Sequence, residues 1–159
     1  MSAFDSLDQT DFELLSLLQK NARMSNKELA AAVGLAPSSC LARIQRLRAS
    51  GALRGFHAVV APEALGIGLQ ALVAIRMGQH SRAKVKSFWK YLSNLPQVLA
   101  VYHVTGAHDF LVHVAAKGPD HLRDLVLDAF TSRPEVAHLE TSLLFDHTRN
   151  HVIPPMHMA

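Results

Sequence analysis

Between Gly34 and Gly51 the chain carries three arginines, Arg43, Arg46 and Arg48, beside Ser38, Ser39 and Gln45, with no acidic side chain among them. Guanidinium groups bind phosphate oxygens, and guanidinium, amide and hydroxyl groups all hydrogen-bond base edges. The stretch is either a surface for nucleic acid or an ordinary solvated basic helix face. The single cysteine, Cys40, excludes an internal disulfide and a cysteine-rich zinc site, and it reads as a small core residue. Ten histidines include His103, His108 and His113, with His147 and His151 four apart near the end. No short cluster of them supplies the convergent ligands that zinc requires, so they read as packed or solvated side chains with a pH response near neutrality as their remaining role. No nucleophile–base motif, phosphate loop or informative carboxylate pair is present.

Three short helices must position the basic stretch. Leu7 to Asn21 reads as a helix with Leu14, Leu15 and Leu18 on one side, Asp8 as its cap, and Leu7 and Phe12 at staple positions. Ser25 and Glu28 form a capping box stapled by Met24 and Leu29, and Gly34 ends that second helix. The third begins with Pro37 in its first turn, buries Cys40, Ile44 and Leu47, and stops at Gly51. At about 100° per residue, its opposite side carries Ser38, Ser39, Ala42, Gln45 and Arg46, with Arg43 on the flank.

The second and third helices, joined by Gly34-Leu35-Ala36, have helix-turn-helix dimensions. In that motif the later helix enters the major groove. Ser38, Ser39, Arg43, Gln45 and Arg46 would then meet bases or phosphates. Lys27, Arg48 and Arg54 would add phosphate contacts, which give affinity and salt sensitivity rather than sequence choice. The alternating stretch LRGFHAVVA that follows suits a small hairpin, a wing along the DNA backbone.

After a linker over residues 61–68 (APEALGIG) the pattern changes. LQALVAIRM reads as a strand and SRAKVKSFWKYLSNL as a helix. VLAVYHVTG and DFLVHVAAK read as two strands around a turn, GPDHLRDLVLDAFTSR as a helix, and VAHLETSLLF as a last strand. This β-α-β-β-α-β order is the ferredoxin-like unit. The expected fold is α+β: a winged helix-turn-helix domain over residues 1–60, the linker, and an α/β domain over 69–159. Hydrophobic residues make up 49% of the 159, and the formal charge of +3 permits a polyanionic partner without demanding one. No apolar run approaches the roughly 18 residues of a membrane span. The opening MSAFDSLDQTD is acidic and polar, unlike a secretory signal. A cytoplasmic protein without a membrane partner is the expectation.

Motif by motif the chain resembles a known family. It has an LDxxD opening, then NARMSNKELA, then the helix GLxPSxCxxRIxRL, then the exit GxLRGFxAxVxPExLG, in order and at the expected intervals. This resembles the leucine-responsive/asparagine-responsive (Lrp/AsnC, feast–famine) transcriptional regulators, and the α/β half is similar to their amino-acid-sensing domain. One departure is Ala36, where the family usually has a serine before the proline; the missing cap costs roughly 1 kcal/mol. The resemblance implies double-stranded DNA as a partner, a homodimer assembling toward an octamer, no cofactor, and an amino acid or related metabolite as effector. It also implies an effector turn, Gly106-Ala107-His108-Asp109. There the glycine turn would expose N–H groups to a carboxylate and Asp109 would pair with an ammonium. Ala107 stands where relatives often carry an acid, and Thr141 matches a last-strand threonine of the same pocket. Two other functions stay open. One is an enzyme similar to the siroheme decarboxylases, whose aromatic-rich substrate loop has no counterpart in TGAHDFLVHV. The other is an architectural DNA-bridging protein with no ligand.

Overall fold

Helix α1 spans Gln9–Lys20, α2 Asn26–Ala32 and α3 Pro37–Ala49 in a computed structural model that describes residues 4 and 6–155. The tips of the two expected domains, residues 1–3, 5 and 156–159, lie outside the described residues. The local signals account for the helix ends. The Asp8 carboxylate accepts the Asp11 N–H at 2.9 Å and the Asp11 carboxylate accepts the Asp8 N–H at 3.2 Å, so α1 begins with a full capping box. Ser25 and Glu28 repeat the device on α2 at 3.2 and 2.7 Å. Gly34 then ends α2 with φ of 67°, a left-handed conformation that favours glycine. Of these three helices α3 alone starts without a side-chain cap, since Ala36 occupies the position. Leu14, Leu18, Leu29, Ala30, Cys40 and Leu47 are buried together as the core, with Ile44 half-buried beside them.

The expected hairpin is absent. Among the described residues no strand lies between α3 and a 3-10 turn at Pro62–Leu65. The alternating pattern supplies strand propensity but no reversal. After Gly55 the run Phe56-His57-Ala58-Val59-Val60-Ala61 holds no glycine, asparagine, aspartate or proline to fold it back. Val59 and Val60 stay 78% and 50% exposed.

Residues up to Val59 and from Thr148 onward form one unit, and Val60–His147 form the other. The tail thus packs with the helices, whereas the sequence pattern places it with the α/β half. The Gln19 side chain on α1 holds it at both backbone groups of Ile153, accepting its N–H at 2.7 Å and donating to its carbonyl at 3.3 Å. Val152, Ile153 and Pro154 line a groove of about 790 Å³ with Phe12 and Leu15.

The second unit contains β1 (Leu69–Met77), α4 (Arg82–Ser93), β2 (Val98–His103), β3 (Phe110–Ala116), α5 (Pro119–Leu125) and β4 (Val136–Leu144). The strands form an antiparallel sheet in the order β2-β3-β1-β4. Alternation along the strands decides its faces. Ala71, Val73, Ile75 and Met77 of β1, with Phe110, Val112 and Val114 of β3, are buried against Phe88 and Leu92 of α4 and against Leu122, Leu125 and Phe130. Phe88 meets Phe110 edge-on, with centroids 5.5 Å apart. The predicted last helix is interrupted: α5 passes into a π-helical stretch, Val126–Thr131, which brings Phe130 into the core. Gly68 enters β1 so close to the backbone that follows β3 that a Cβ there would lie 2.3 Å from the Lys117 carbonyl oxygen. Leu72 and Ala74 of β1, Leu111 of β3 and Tyr102 of β2 point to the opposite face, on which no helix of this unit packs.

Candidate nucleic-acid interface

The turn between α2 and α3 is closed by the Leu35 N–H donating to the Ala30 carbonyl at 2.9 Å. The Asn26 side-chain amide donates to the Pro37 carbonyl at 2.8 Å and ties the start of α2 to the start of α3. Cys40 and Leu47 are buried on the inner side of α3, so Ser38, Ser39, Ala42 and Gln45 come to the surface together. These are the residues expected at the DNA face. Small Ala42 lets a helix sit close to a groove floor, flanked by groups that can bond bases. Lys27, Arg48 and Arg54 are exposed around it. Burial pushes the Cys40 thiol above its ordinary value, so it is an inert core residue and not a nucleophile.

Arg43 and Arg46 both reach acids of α1, partners that the sequence reading did not assign. The Arg43 guanidinium turns toward α1, where Nη1 donates to Asp8 Oδ2 at 2.6 Å and to Asp11 Oδ1 at 2.9 Å. Arg46 Nη2 donates to the other Asp11 oxygen at 2.5 Å. Asp11 is completely buried, a burial that only pairing makes tolerable for a carboxylate. The Arg43 guanidinium, bonded to the Asp8 carboxylate, holds that carboxyl below the usual range, and the two aspartates push Arg43 up. Arg43 thus ties α3 to the head of α1 through two carboxylates. Sequence reasoning missed Asp8 and Asp11 as partners. Their signal was present: two acids three apart heading α1, facing a basic helix that has no acid of its own.

At the expected effector turn, Gly106 adopts φ of 116°, which any other residue would strain to reach. Ala107 is exposed. Asp109 is already engaged. Its Oδ2 accepts the Met77 N–H at 2.7 Å, its Oδ1 lies 2.9 Å from His80 Nε2, and its own N–H donates to the Ile75 carbonyl at 2.9 Å. His80, absent from the sequence assignment, thus joins the turn. His108 lies 3.7 Å from Glu140 on β4. Thr141, the next residue, is in register with Val73 and faces the other side of the sheet from Glu140. Within one chain, then, Gly106 to Asp109 gather with His80 and Glu140 while Thr141 stands apart.

Among the described residues no group of three or more His, Cys, Asp or Glu side chains is placed to hold a metal ion. His113, on β3, packs edge-on against His147 with centroids 5.2 Å apart. Burial first, and then His147, push its pKa below the ordinary histidine value.

An exposed polar helix face in a helix-turn-helix is the arrangement of a DNA-binding protein. Known proteins agree. Residues 7–48 match the AsnC-type helix-turn-helix domain and residues 70–152 the Lrp/AsnC ligand binding domain. The chain is 40% identical over 143 residues to the HTH-type transcriptional regulator AldR of Mycolicibacterium smegmatis, spanning 90% of this chain and 84% of that one. It is 33% identical to the transcriptional regulator AzlB of Bacillus subtilis, across 94% and 96% of the two chains. A crystal structure of a Neisseria meningitidis transcriptional regulator complexed with L-Met superposes with a TM-score of 0.87 at 30% identity, covering 97% of this chain and all of that one. The chain belongs to the Lrp/AsnC family. It is a DNA-binding transcriptional regulator with a ligand-binding domain.

Proposed function

We propose that the protein binds specific operator sequences with α3 in the major groove, and that an amino acid or related small metabolite adjusts this binding. The observation that carries the proposal is the outer side of α3, where Ser38, Ser39, Ala42 and Gln45 are exposed side by side. Ser38, Ser39 and Gln45 are assigned to base edges, and Lys27, Arg48 and Arg54 to phosphates. Arg46 lies at the border of the two sets, and Arg43 acts through the docking of α3. The relative from Neisseria is named as a complex with L-Met, which supports an amino-acid effector here. Gly106, Ala107 and His108 supply the turn for its carboxylate, with Asp109 and Thr141 as the further candidates.

The uncovered sheet face supports self-association. Tyr102 and Leu111, together with Leu72 and Ala74, offer apolar surface that a second copy would bury. A homodimer would set two α3 helices about one turn of DNA apart, and pairing of dimers would give the octamer. No helix among the described residues is long and apolar enough to cross a membrane, in keeping with action on DNA in the cytoplasm. The relatives are named transcriptional regulators, which favours regulation over the decarboxylase-like enzyme.

One observation favours a ligand-independent DNA-bridging role: both carboxylate oxygens of Asp109 already have partners within the chain. An effector must bind two assemblies unequally to shift between them. The test is a screen of the twenty amino acids, with a porphyrin carboxylate alongside, read by thermal shift and by mobility of DNA selected from a random library. Stabilisation by an amino acid together with altered mobility is the expected result. Conversion of the porphyrin would overturn regulation in favour of the enzyme, and DNA binding indifferent to every amino acid would favour the bridging protein.

A further inference from the structure

The two arginines that share Asp11 are not equivalent. They are three residues apart on α3 and both reach the head of α1. Arg43 commits one nitrogen to two carboxylates, and its side chain is 28% exposed. Arg46 uses a single nitrogen, at 2.5 Å from Asp11, and its side chain is 54% exposed. A guanidinium carries five N–H donors in a rigid fork, so those Arg46 does not give to Asp11 remain for a second acceptor. Arg46 also stands on the same outer half of α3 as Ser39 and Ala42.

We infer that Asp11 is a positioning residue for DNA recognition: buried behind α3, it fixes the Arg46 guanidinium so that its outward N–H groups meet a backbone phosphate, while Arg43 serves as the strut that neutralises Asp11 and Asp8. The inference rests on the proposed placement of α3 in the groove. An arginine already fixed has less side-chain freedom to lose when DNA binds. The phosphate contact then sets the register of α3 for Ser38, Ser39 and Gln45. The four charges sum to zero, two arginines against two aspartates, so the cluster must act through geometry rather than net charge.

That last point makes the inference testable. Asp11→Asn keeps the size of the side chain and removes one negative charge, so the cluster gains a net charge of about +1 beside the DNA. Simple attraction would tighten binding to all duplexes alike, whereas loss of positioning lowers the preference for operator. The full-length protein is compared with Asp11→Asn, Arg46→Ala and Arg43→Lys. The duplexes are one recovered by selection from a random library and a scrambled one of equal length, across a series of salt concentrations.

The operator-over-scrambled ratio is expected to fall at least three-fold in Asp11→Asn and in Arg46→Ala. The slope of log affinity against log salt is expected to shrink by about 1 in Arg46→Ala, which leaves one phosphate without its arginine, and to stay unchanged in Arg43→Lys. An unchanged ratio in Asp11→Asn, or an unchanged slope in Arg46→Ala, overturns it. If Asp11→Asn fails to fold, the Arg46→Ala slope decides alone, because that side chain is half in solvent. Gln45→Ala separates the two levels. Full operator preference in that variant removes the groove placement itself, while its loss alongside an indifferent Arg46→Ala removes only the present inference.

Discussion

Ala36→Ser should stabilise the helical unit by about 1 kcal/mol, and the reason is visible at three helix starts. Helices α1 and α2 each open with a capping box, whereas α3 opens with none. Pro37 has no N–H, and the Cys40 N–H already reaches the Ala36 carbonyl at 3.0 Å, so the Ser38 and Ser39 amides are the donors a cap would satisfy. Ala36 sits at φ −66° and ψ 144°, close to the −70° and 157° of the capping Ser25, so a serine would fit without moving the backbone. The site is exposed and has no acid at Ser39 to complete a box, which holds the gain near that value rather than at the upper end of about 2 kcal/mol. With a urea dependence of about 1–2 kcal/mol per molar for a unit of this size, the midpoint should rise by roughly 0.5–1 M. Far-ultraviolet circular dichroism is the appropriate probe, because the chain's one tryptophan, Trp89, lies in α4 and reports the other unit. A midpoint that stays put or falls, with Trp89 fluorescence unchanged, would refute the cap reasoning.

Two further outcomes follow from the α/β unit. Phe130 is fully buried, and Phe130→Ala should cost about 3–5 kcal/mol, read as an earlier Trp89 fluorescence transition; a cost under about 1 kcal/mol would show that the π-helical stretch does not seat it. His113, with its pKa pushed down in the folded chain, takes up its proton more readily once unfolded. Stability from this group is present above the ordinary histidine value of about 6.5 and drains away as pH falls through the lower folded value. His113→Gln should therefore lose less thermal stability than the parent between about pH 7.5 and 5.5, and identical losses would exclude the effect.

Features governed by neighbours in the chain were legible in the residues. The box at Ser25 and Glu28, the stop at Gly34 and Pro37 in the first turn all express local stereochemistry. What escaped depends on partners far along the chain. The stretch after Gly55 has a strand's composition but nothing to reverse it. Arg43, placed on the flank by its angle, found acids more than thirty positions earlier whose charge decides where it points. Asp109 looked like a free carboxylate beside a glycine turn, and only the Met77 N–H and His80 reveal that it is occupied. The cluster of Ser38, Ser39 and Gln45 was readable because one helix carries all three.

The clasp between Gln19 and Ile153 bears on what can be studied in pieces. A fragment ending near residue 60 would keep all three helices but lose the eight described tail residues that share their unit, 148–155. The Gln19 amide would lose both its bonds, and the apolar flank of Phe12 and Leu15 would be laid bare. Such an excised module would be stickier and less stable than the same helices in the intact chain. Affinities measured on it would describe a different molecule.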